Sequence, residues 1–426
     1  VVVDFKSGQP VLSQEYPTEA IALDRSSASN SLAYVYKQNL YVIDAKGKTM
    51  PVTTDGSNDL VYGQSVHRDE FGIHKGTYWS PDGNLLAFYR MDQSMVPDYP
   101  QVNIDTRISS TYSCKYPMAG ETSHKVTVGV YNPNTNTVVW LQVGDPTDRY
   151  FTNISWSPDS KKIYMIELNR DQNHAELVRY DAISGVKEAV IYEEKHPKYV
   201  EPMHGLLFLP WDETKFIYQS QRDGYNQLYL FDLSTEREGK EQPTLTGGSK
   251  KENVKVTMLT SGQWVIKEVL GFNVKDKSIL ICSNELHPLQ SNIFKVRVKD
   301  GKRTLLDNGE GVHFGKLSPS GSLLVDSYSS PTVTRNINLT NTVSGKSVEI
   351  FTAENPWKDY NVPEITSGSI KAADGVTDLY YRMVKPVDFD PTKKYPTVIY
   401  VYGGPHAHNV EASRNYYARG WEIYMA

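Results

Sequence analysis

The residues best suited to chemistry lie near the end of the chain, in a tyrosine that precedes a Gly-Gly-Pro turn. The β-branched and aromatic run at residues 397–401 predicts a buried strand, which must stop at the Gly-Gly-Pro that follows Tyr402 because no ladder can continue there. This order places Tyr402 at the carboxyl end of a strand, where open α/β sheets bind ligands. Its phenol is then either a positioned hydrogen-bond donor or a buried side chain that closes the strand.

Other reactive side chains show no spacing typical of a site. The eight histidines before residue 400 have no metal-ligand spacing, and no metal is expected. His406 and His408 follow the glycine turn and are expected to line its loop. Two cysteines, Cys114 and Cys282, are too few for a disulfide framework or a zinc site. Each lies among strand-like residues, which favours small buried side chains.

Composition excludes several classes of function. The chain has 426 residues, enough for about two to three domains at roughly 150 residues each. Its 45 basic and 50 acidic residues give a net charge of −5, which argues against a nucleic-acid groove or a polybasic membrane surface. No apolar run approaches the roughly 18 residues of a membrane span, and no signal peptide is visible at the first residues.

One phrase recurs along the chain and indicates its architecture. An aromatic or apolar residue precedes Ser-Pro-Asp-Gly or a relative of it, and a short apolar strand follows. Further on, each copy has an alternating strand that ends near a turn, and pairs such as Ser184-Gly185 and Asp300-Gly301 are typical of hairpins. Six repeats at roughly 45–75 residue spacing predict the four-stranded blades of a β-propeller. The copies begin at Asp24, Trp79, Trp156, Leu209, Phe272 and Leu317.

A different region begins near residue 353. Residues 365–375 lead into an alternating stretch, 379–384, and both are expected to form the first strands of a sheet domain. Residues 412–426 have helical character and include Tyr416, Trp421 and Tyr424. About 70 residues are too few for an α/β domain, so the chain is expected to be a fragment.

Several stretches together resemble one peptidase family. The blades and the turn at 401–405 are similar to the dipeptidyl peptidase IV branch of the prolyl oligopeptidase family, and most similar to bacterial prolyl tripeptidyl peptidases. The resemblance covers essentially the whole chain and includes residues 66–73, 87–95, 116–120 and 219–224.

The resemblance implies a mainly β fold. Residues 1–352 would be a β-propeller, part of an eight-bladed type, and residues 353–426 the truncated start of an α/β-hydrolase peptidase domain. The implied parent is a serine peptidase that releases N-terminal dipeptides or tripeptides with proline at P1, without metal or cofactor.

The resemblance also implies roles for three residues. Tyr402 would donate its hydroxyl to the oxyanion of the tetrahedral intermediate. Glu70 as the favoured anchor, with Asp69 beside it, would bind the α-ammonium of the substrate from a short helical insertion in a blade. The dipeptidyl enzymes typically carry a Glu-Glu pair there, so the Asp-Glu pair fits the tripeptidyl branch. Without the resemblance, this pair is only a solvated loop, and Arg222-Asp223 only a turn.

The residues for the chemical step are missing from this sequence. No Gly-x-Ser-x-Gly elbow occurs in it, so the Ser/Asp/His triad is absent and the isolated chain is expected to be inactive.

Two other functions stay open. One alternative is a non-catalytic periplasmic propeller that serves as a protein-binding platform. Another is a cytosolic oligopeptidase of the same superfamily, which would accept blocked N-termini. The family implies peptide substrates, export to the periplasm or cell surface, and a homodimer at full length.

Overall fold

The structure is a computed structural model that describes residues 1–237, 241–245, 247–250, 253–404, 407–415 and 419–426. The chain divides into two units. One comprises Val1–Arg222 with Tyr229–Thr257, and the other comprises Asp223–Leu228 with Met258–Ala426. Each unit is described by itself.

The first half of the chain forms antiparallel sheets in sequence order. A short pair, β1 (Val2–Val3) and β2 (Pro10–Leu12), precedes them. The first sheet holds β3 (Ile21–Arg25), β4 (Leu32–Tyr36), β5 (Asn39–Ile43) and β6 (Thr49–Pro51). The second holds β7 (Leu60–Tyr62), β8 (Thr77–Trp79), β9 (Leu86–Asp92), β12 (Lys125–Asn132) and β13 (Thr137–Trp140), and the separate hairpin of β10 (Asp98–Asn103) and β11 (Ser110–Lys115) is inserted in it. The third holds β14 (Arg149–Trp156), β15 (Lys162–Asn169), β16 (His174–Asp181) and β17 (Lys187–Lys195).

Three more sheets and two hairpins follow. The fourth sheet holds β18 (Leu207–Leu209), β19 (Asp212–Ser220), β20 (Gln227–Arg237) and β23 (Asn253–Met258), and β21 (Glu241–Thr244) pairs with β22 (Gly247–Lys250). The fifth holds β24 (Ile266–Asn273), β25 (Ser278–Ser283), β26 (Asn292–Arg297) and β27 (Arg303–Leu305). The sixth holds β28 (Val312–Leu317), β29 (Leu323–Ser329), β30 (Asn336–Asn341) and β31 (Ser347–Thr352). The last hairpin is β32 (Glu364–Lys371) with β33 (Asp378–Lys385), and one helix, α1 (Gly420–Met425), is near the end.

The repeated phrase marks these sheets as predicted. The six copies lie directly before β4, β9, β15, β19, β25 and β29, and the alternating strand further on pairs with that strand in its sheet. The serine of the phrase closes the turn. The backbone N–H of Ser80 donates to the carbonyl of Leu85, and the Ser80 hydroxyl accepts from the Leu85 N–H, both at 2.9 Å. Ser157 and Ser318 make the same two bonds with the residue five positions further on.

The tryptophan of the phrase links a sheet to the one before it. In the first unit, the Trp79 indole N–H donates to the carbonyl of Asp24 at 3.0 Å, and the Trp156 indole N–H donates to the carbonyl of Tyr78 at 3.0 Å. Asp24 lies on β3 and Tyr78 on β8, each in the sheet that precedes the one of its tryptophan. The phrase therefore fixes both the turn within one sheet and the contact with its neighbour.

The central strands are buried on both faces. Along β15 the side chains of Ile163 and Met165 belong to one apolar cluster, while Tyr164, Ile166 and Leu168 belong to another. Successive side chains of a strand point to opposite faces, so each face of this sheet packs against a different neighbour. Burial on both faces explains why the strand is a nearly continuous apolar run, without the alternation of a sheet that has one face in water.

One charged group interrupts that run. The carboxylate of Glu167 is completely buried on β15, where it accepts hydrogen bonds from the Arg149 guanidinium and the Tyr180 hydroxyl. Arg149 also donates to the carbonyl of Val143 at 2.7 Å. Burial raises the pKa of Tyr180 well above its usual range, so this phenol is a donor to the carboxylate.

The predicted strand over residues 397–401 is not formed. The structure pairs this segment with no described strand, and Val398, Ile399 and Val401 are 75%, 84% and 74% exposed. The prediction was wrong because a buried strand requires neighbours that satisfy its backbone groups and cover its side chains. The nearby β32–β33 hairpin agrees with the strands expected there. The predicted helix over 412–426 is reduced to α1, and Tyr416 lies outside the described residues.

The two cysteines differ in burial. Cys282 is buried as expected, and burial raises the pKa of its thiol to about 12, whereas Cys114 is only half-buried. Both thiols are free.

None of the helices among the described residues has the length and apolar character needed to span a membrane.

Candidate functional site

The predicted acidic pair lies on a tight turn between β7 and β8. The turn covers His67–Asp69, and the φ angles of His67, Arg68 and Asp69 are +54°, +57° and +62°. The expected short helical insertion is therefore a single left-handed turn. This conformation costs L-residues roughly 1–2 kcal/mol each, so the surrounding structure must hold it.

The two carboxylates of the turn are available for a ligand. Asp69 and Glu70 are exposed, and neither side chain forms a hydrogen bond or ion pair with any residue in the described ranges. The cation next to them is directed elsewhere, because the Arg68 guanidinium lies over the ring of Tyr116 at 4.8 Å from its centroid. The arrangement presents two adjacent negative charges that a cationic group could bind.

The buried side of the turn is attached to β14 at two points. The backbone N–H of Phe151 donates to Nε2 of His67 at 3.1 Å, and the hydroxyl of Thr152 donates to the carbonyl of Phe71 at 3.3 Å. The rings of His67 and Phe71 both pack on Tyr150, at centroid distances of 5.0 and 5.2 Å. The acidic pair is therefore carried between two anchored residues.

Gly72 completes the turn in a position that excludes any side chain. Its φ is +71°, and a Cβ atom added to it would lie 2.1 Å from the carbonyl oxygen of Met203. A substitution here would have to move backbone.

We expect Gly72→Ala to lower the free energy of unfolding by about 2–4 kcal/mol, as the sum of left-handed strain and overpacking. Gly120→Ala is the matched control, because Gly120 has a φ of +80° with no heavy atom within 4 Å of the added Cβ. The control should lose only about 1–2 kcal/mol, the strain alone. Chemical unfolding of the two variants measures the difference, and equal losses would show that the approach to Met203 is not a constraint.

Tyr402 lies on an exposed segment and not at the end of a strand. Its side chain is 65% exposed, and its hydroxyl bonds to no residue of the described part of the chain. The two positions after it favour glycine for different reasons. Gly403 has a φ of +69°, and a Cβ on Gly404 would lie 2.3 Å from the Tyr402 ring. A side chain at either glycine would thus be strained or would collide with the phenol ring, while the role expected for this hydroxyl stays a prediction.

The remaining candidates have structural partners. Nδ1 of His408 lies 3.5 Å from the Glu411 carboxylate, while His406 lies outside the described residues. Arg222 is more than a turn residue, because its guanidinium lies 4.3 Å and 3.9 Å from the ring centroids of Tyr192 and Tyr229.

The structure also brings together one group of metal-ligand types that sequence spacing did not indicate. The ligand atoms of His174, Glu176 and Glu193, on β16 and β17, lie within 4.8 Å of one another. These atoms already have partners. Nε2 of His174 is 2.7 Å from Glu193, and both Glu176 oxygens accept from the N–H of Leu245. We therefore assign no metal to this group.

Comparison with known proteins identifies the family. The sequence profile described as "Dipeptidyl peptidase IV (DPP IV) N-terminal region" matches residues 1–335. The chain belongs to the dipeptidyl peptidase IV N-terminal region family. Its fold is accordingly the β-propeller of that family's N-terminal region, as the sequence predicted.

Solved structures and curated relatives that are similar to this dipeptidyl peptidase IV region support the same family assignment. A Bacteroides ovatus structure with the provisional name dipeptidyl aminopeptidase IV is 49% identical with a TM-score of 0.89, and the match covers 100% of this chain and 59% of that one. Porphyromonas gingivalis dipeptidyl peptidase 4 is 25% identical with a TM-score of 0.81, over 96% of this chain and 56% of that one. Dipeptidyl peptidase 4 of Trichophyton rubrum is 24% identical over 97% of this chain and 54% of its own length. The chain spans about half the length of the curated relatives it matches.

Two features of this dipeptidyl peptidase IV region were missed from the sequence. One is the contact between His67 and His124, which are 57 positions apart. The other is the stack of Arg222 on two tyrosines. Of these residues, only His67 and Arg222 lie within stretches that carry the family resemblance, 66–73 and 219–224.

Proposed function

We propose that this chain is the propeller part of a proline-specific serine exopeptidase, which releases dipeptides or tripeptides with proline at P1 from the N-terminus of peptides. One observation carries the proposal: the carboxylates of Asp69 and Glu70 are exposed and without partners among the described residues, yet their backbone is held on an anchored turn. Charge-assisted bonds between such a pair and an α-ammonium group are among the stronger hydrogen bonds in proteins.

A fixed carboxylate pair also explains how residues are counted. Only a free N-terminus carries a cation at a set number of bonds from the scissile peptide, so an anchor at constant distance selects the length of the released product. Glu70 is the main anchor in this proposal and Asp69 the second. The turn leaves residues 68–70 exposed, while His67 before them and Phe71 after them are buried.

The chemical step needs groups that this sequence does not contain. No Gly-x-Ser-x-Gly elbow is present, so we propose that residues 353–426 begin an α/β-hydrolase domain and that the 426-residue chain alone does not hydrolyse peptides. Tyr402 would contribute the donor to the oxyanion, from a turn whose glycines leave room beside the ring.

The test uses the full-length product of the gene that encodes this chain. Cleavage of Xaa-Pro and Xaa-Xaa-Pro chromogenic substrates is compared with free and acetylated N-termini. We expect cleavage of the free forms only, and Glu70→Gln should raise KM for them about 10- to 100-fold, as the loss of a charge-assisted bond predicts. Glu19→Gln, which removes another exposed carboxylate, is the control and should leave KM unchanged.

The outcomes separate the alternatives. Preference for free Xaa-Xaa-Pro substrates would indicate a tripeptidyl peptidase, and preference for free Xaa-Pro substrates a dipeptidyl peptidase. Equal cleavage of acetylated substrates would contradict the anchor and favour an oligopeptidase. Absence of any cleavage would favour the non-catalytic binding platform.

A further inference from the structure

A pair of buried histidines lies directly beneath the acidic turn. His67 and His124 are 3% and 7% exposed, and their rings stack with centroids 5.1 Å apart. Nδ1 of His67 is 3.0 Å from Nε2 of His124. The same His124 nitrogen is 3.3 Å from the backbone N–H of His67. One imidazole nitrogen thus faces two donors from the residue that begins the turn.

The hydrogen bonds determine which nitrogens carry hydrogen. The N–H of Phe151 donates to Nε2 of His67, so that nitrogen is an acceptor and the hydrogen of His67 is on Nδ1. Nδ1–H of His67 then donates to Nε2 of His124, which must also be unprotonated because it accepts from the backbone as well. Both rings are therefore neutral. Burial lowers the pKa of His67 well below its usual range, and burial with the nearby Arg68 and Arg170 lowers the pKa of His124 to about 4.

These bonds act on the strained part of the backbone. His67, Arg68 and Asp69 all have positive φ, and the His67 carbonyl accepts from the N–H of Glu70 at 3.2 Å. If His124 did not accept from His67, two buried donors would lose their partner where the backbone is already in an unfavourable conformation. The turn could then relax, and the carboxylate beyond it would move.

We propose that His67 and His124 are positioning residues for the carboxylates of Asp69 and Glu70, and that the neutral imidazole pair fixes the distance at which a peptide amine is bound. The inference rests on the proposed function, because it assumes that the acidic pair binds an amine. It assigns a role in substrate binding to two side chains that face away from the ligand.

The test compares three replacements of His124 in the full-length protein. His124→Gln keeps an acceptor at the depth of Nε2, His124→Asn places its acceptor nearer the backbone, and His124→Phe keeps a stacking ring without an acceptor. We expect Asn and Phe to raise KM for the free-amine substrate about tenfold, which corresponds to about 1.4 kcal/mol, with kcat within about twofold. His124→Gln should stay within about threefold of the unchanged protein, since its acceptor is retained.

A purely structural role would give a different pattern. A variant that only weakens the fold should lose kcat and stability together at unchanged KM, whereas loss of positioning raises KM for the free-amine substrate and leaves kcat within about twofold. If His124→Phe does not fold, His124→Asn against His124→Gln gives the same comparison. A fall of kcat for the free-amine substrate with KM unchanged would overturn the inference.

The failure of the inference can be told from the failure of the proposed function. If Glu70→Gln raises KM for the free amine while His124→Asn and His124→Phe do not, only the positioning role is wrong. If Glu70→Gln leaves the discrimination between free and acetylated substrates intact, the anchor itself is wrong, and the positioning role is overturned with it.

Discussion

Replacing Glu167 with alanine is expected to lower the free energy of unfolding by about 3–5 kcal/mol, the cost of breaking a buried charge pair from one side. The carboxylate is completely buried and accepts from both the Arg149 guanidinium and the Tyr180 hydroxyl. Without it, Arg149 is left as an uncompensated buried cation and Tyr180 loses the acceptor of its hydroxyl. Urea unfolding of the chain measures the loss.

The control is Glu213→Ala, which removes an exposed glutamate of β19 in the same unit. Surface changes of this kind usually alter stability by less than about 0.5 kcal/mol. Equal effects of the two replacements would mean that the Glu167 network contributes nothing beyond a surface residue. The double replacement Arg149→Met with Glu167→Leu should be less harmful than Glu167→Ala, because both charges of this pair are then removed together.

Tyr402→Phe in the full-length protein is expected to lower kcat about 10²- to 10³-fold, the usual effect of removing one donor from an oxyanion hole. KM should change little, since the phenol would act on the transition state and not on the bound substrate. Stability should also change little, because the side chain is 65% exposed and its hydroxyl bonds to no described residue.

Tyr400→Phe is the matched control two positions earlier. Tyr400 is 48% exposed, and its ring is covered by the Arg419 guanidinium at 3.5 Å from the centroid, a contact that phenylalanine preserves. We expect its kcat to be unchanged. Equal activity of Tyr402→Phe and the unchanged protein would remove Tyr402 from the proposed mechanism.

Much of the fold was predictable because its signals are local. The serine that closes the turn and the tryptophan that contacts the preceding sheet are in one phrase of five residues, so a repeat of the phrase predicts a repeat of the sheet. Strands such as β15 were also predictable, because both of their faces are covered and their sequence is therefore a nearly continuous apolar run. The short strands, in contrast, were not identified individually and are implied only by the four strands expected of each blade.

What could not be predicted depends on distant or missing partners. Residues 397–401 have strand composition, but composition cannot supply the neighbours with which a strand must pair. The left-handed backbone of the acidic turn has no sequence signal, because three consecutive non-glycine residues rarely adopt it. Its stability depends on His124, whose place beneath His67 results from the packing of strands far apart in sequence. Sequence reasoning could find the carboxylates, but not what holds them.

The neutral histidine pair also links folding to proton release. Below the ordinary histidine pKa near 6.5 the unfolded chain binds protons at His67 and His124, whereas the folded chain does not until the pH nears about 4 at His124. The unfolded state therefore holds more protons in this range, and each histidine can lower the free energy of unfolding by up to about 1.4 kcal/mol per unit as the pH falls. An acidic medium would thus act on the same residues that hold the two carboxylates, and acid tolerance and substrate binding would depend on one contact.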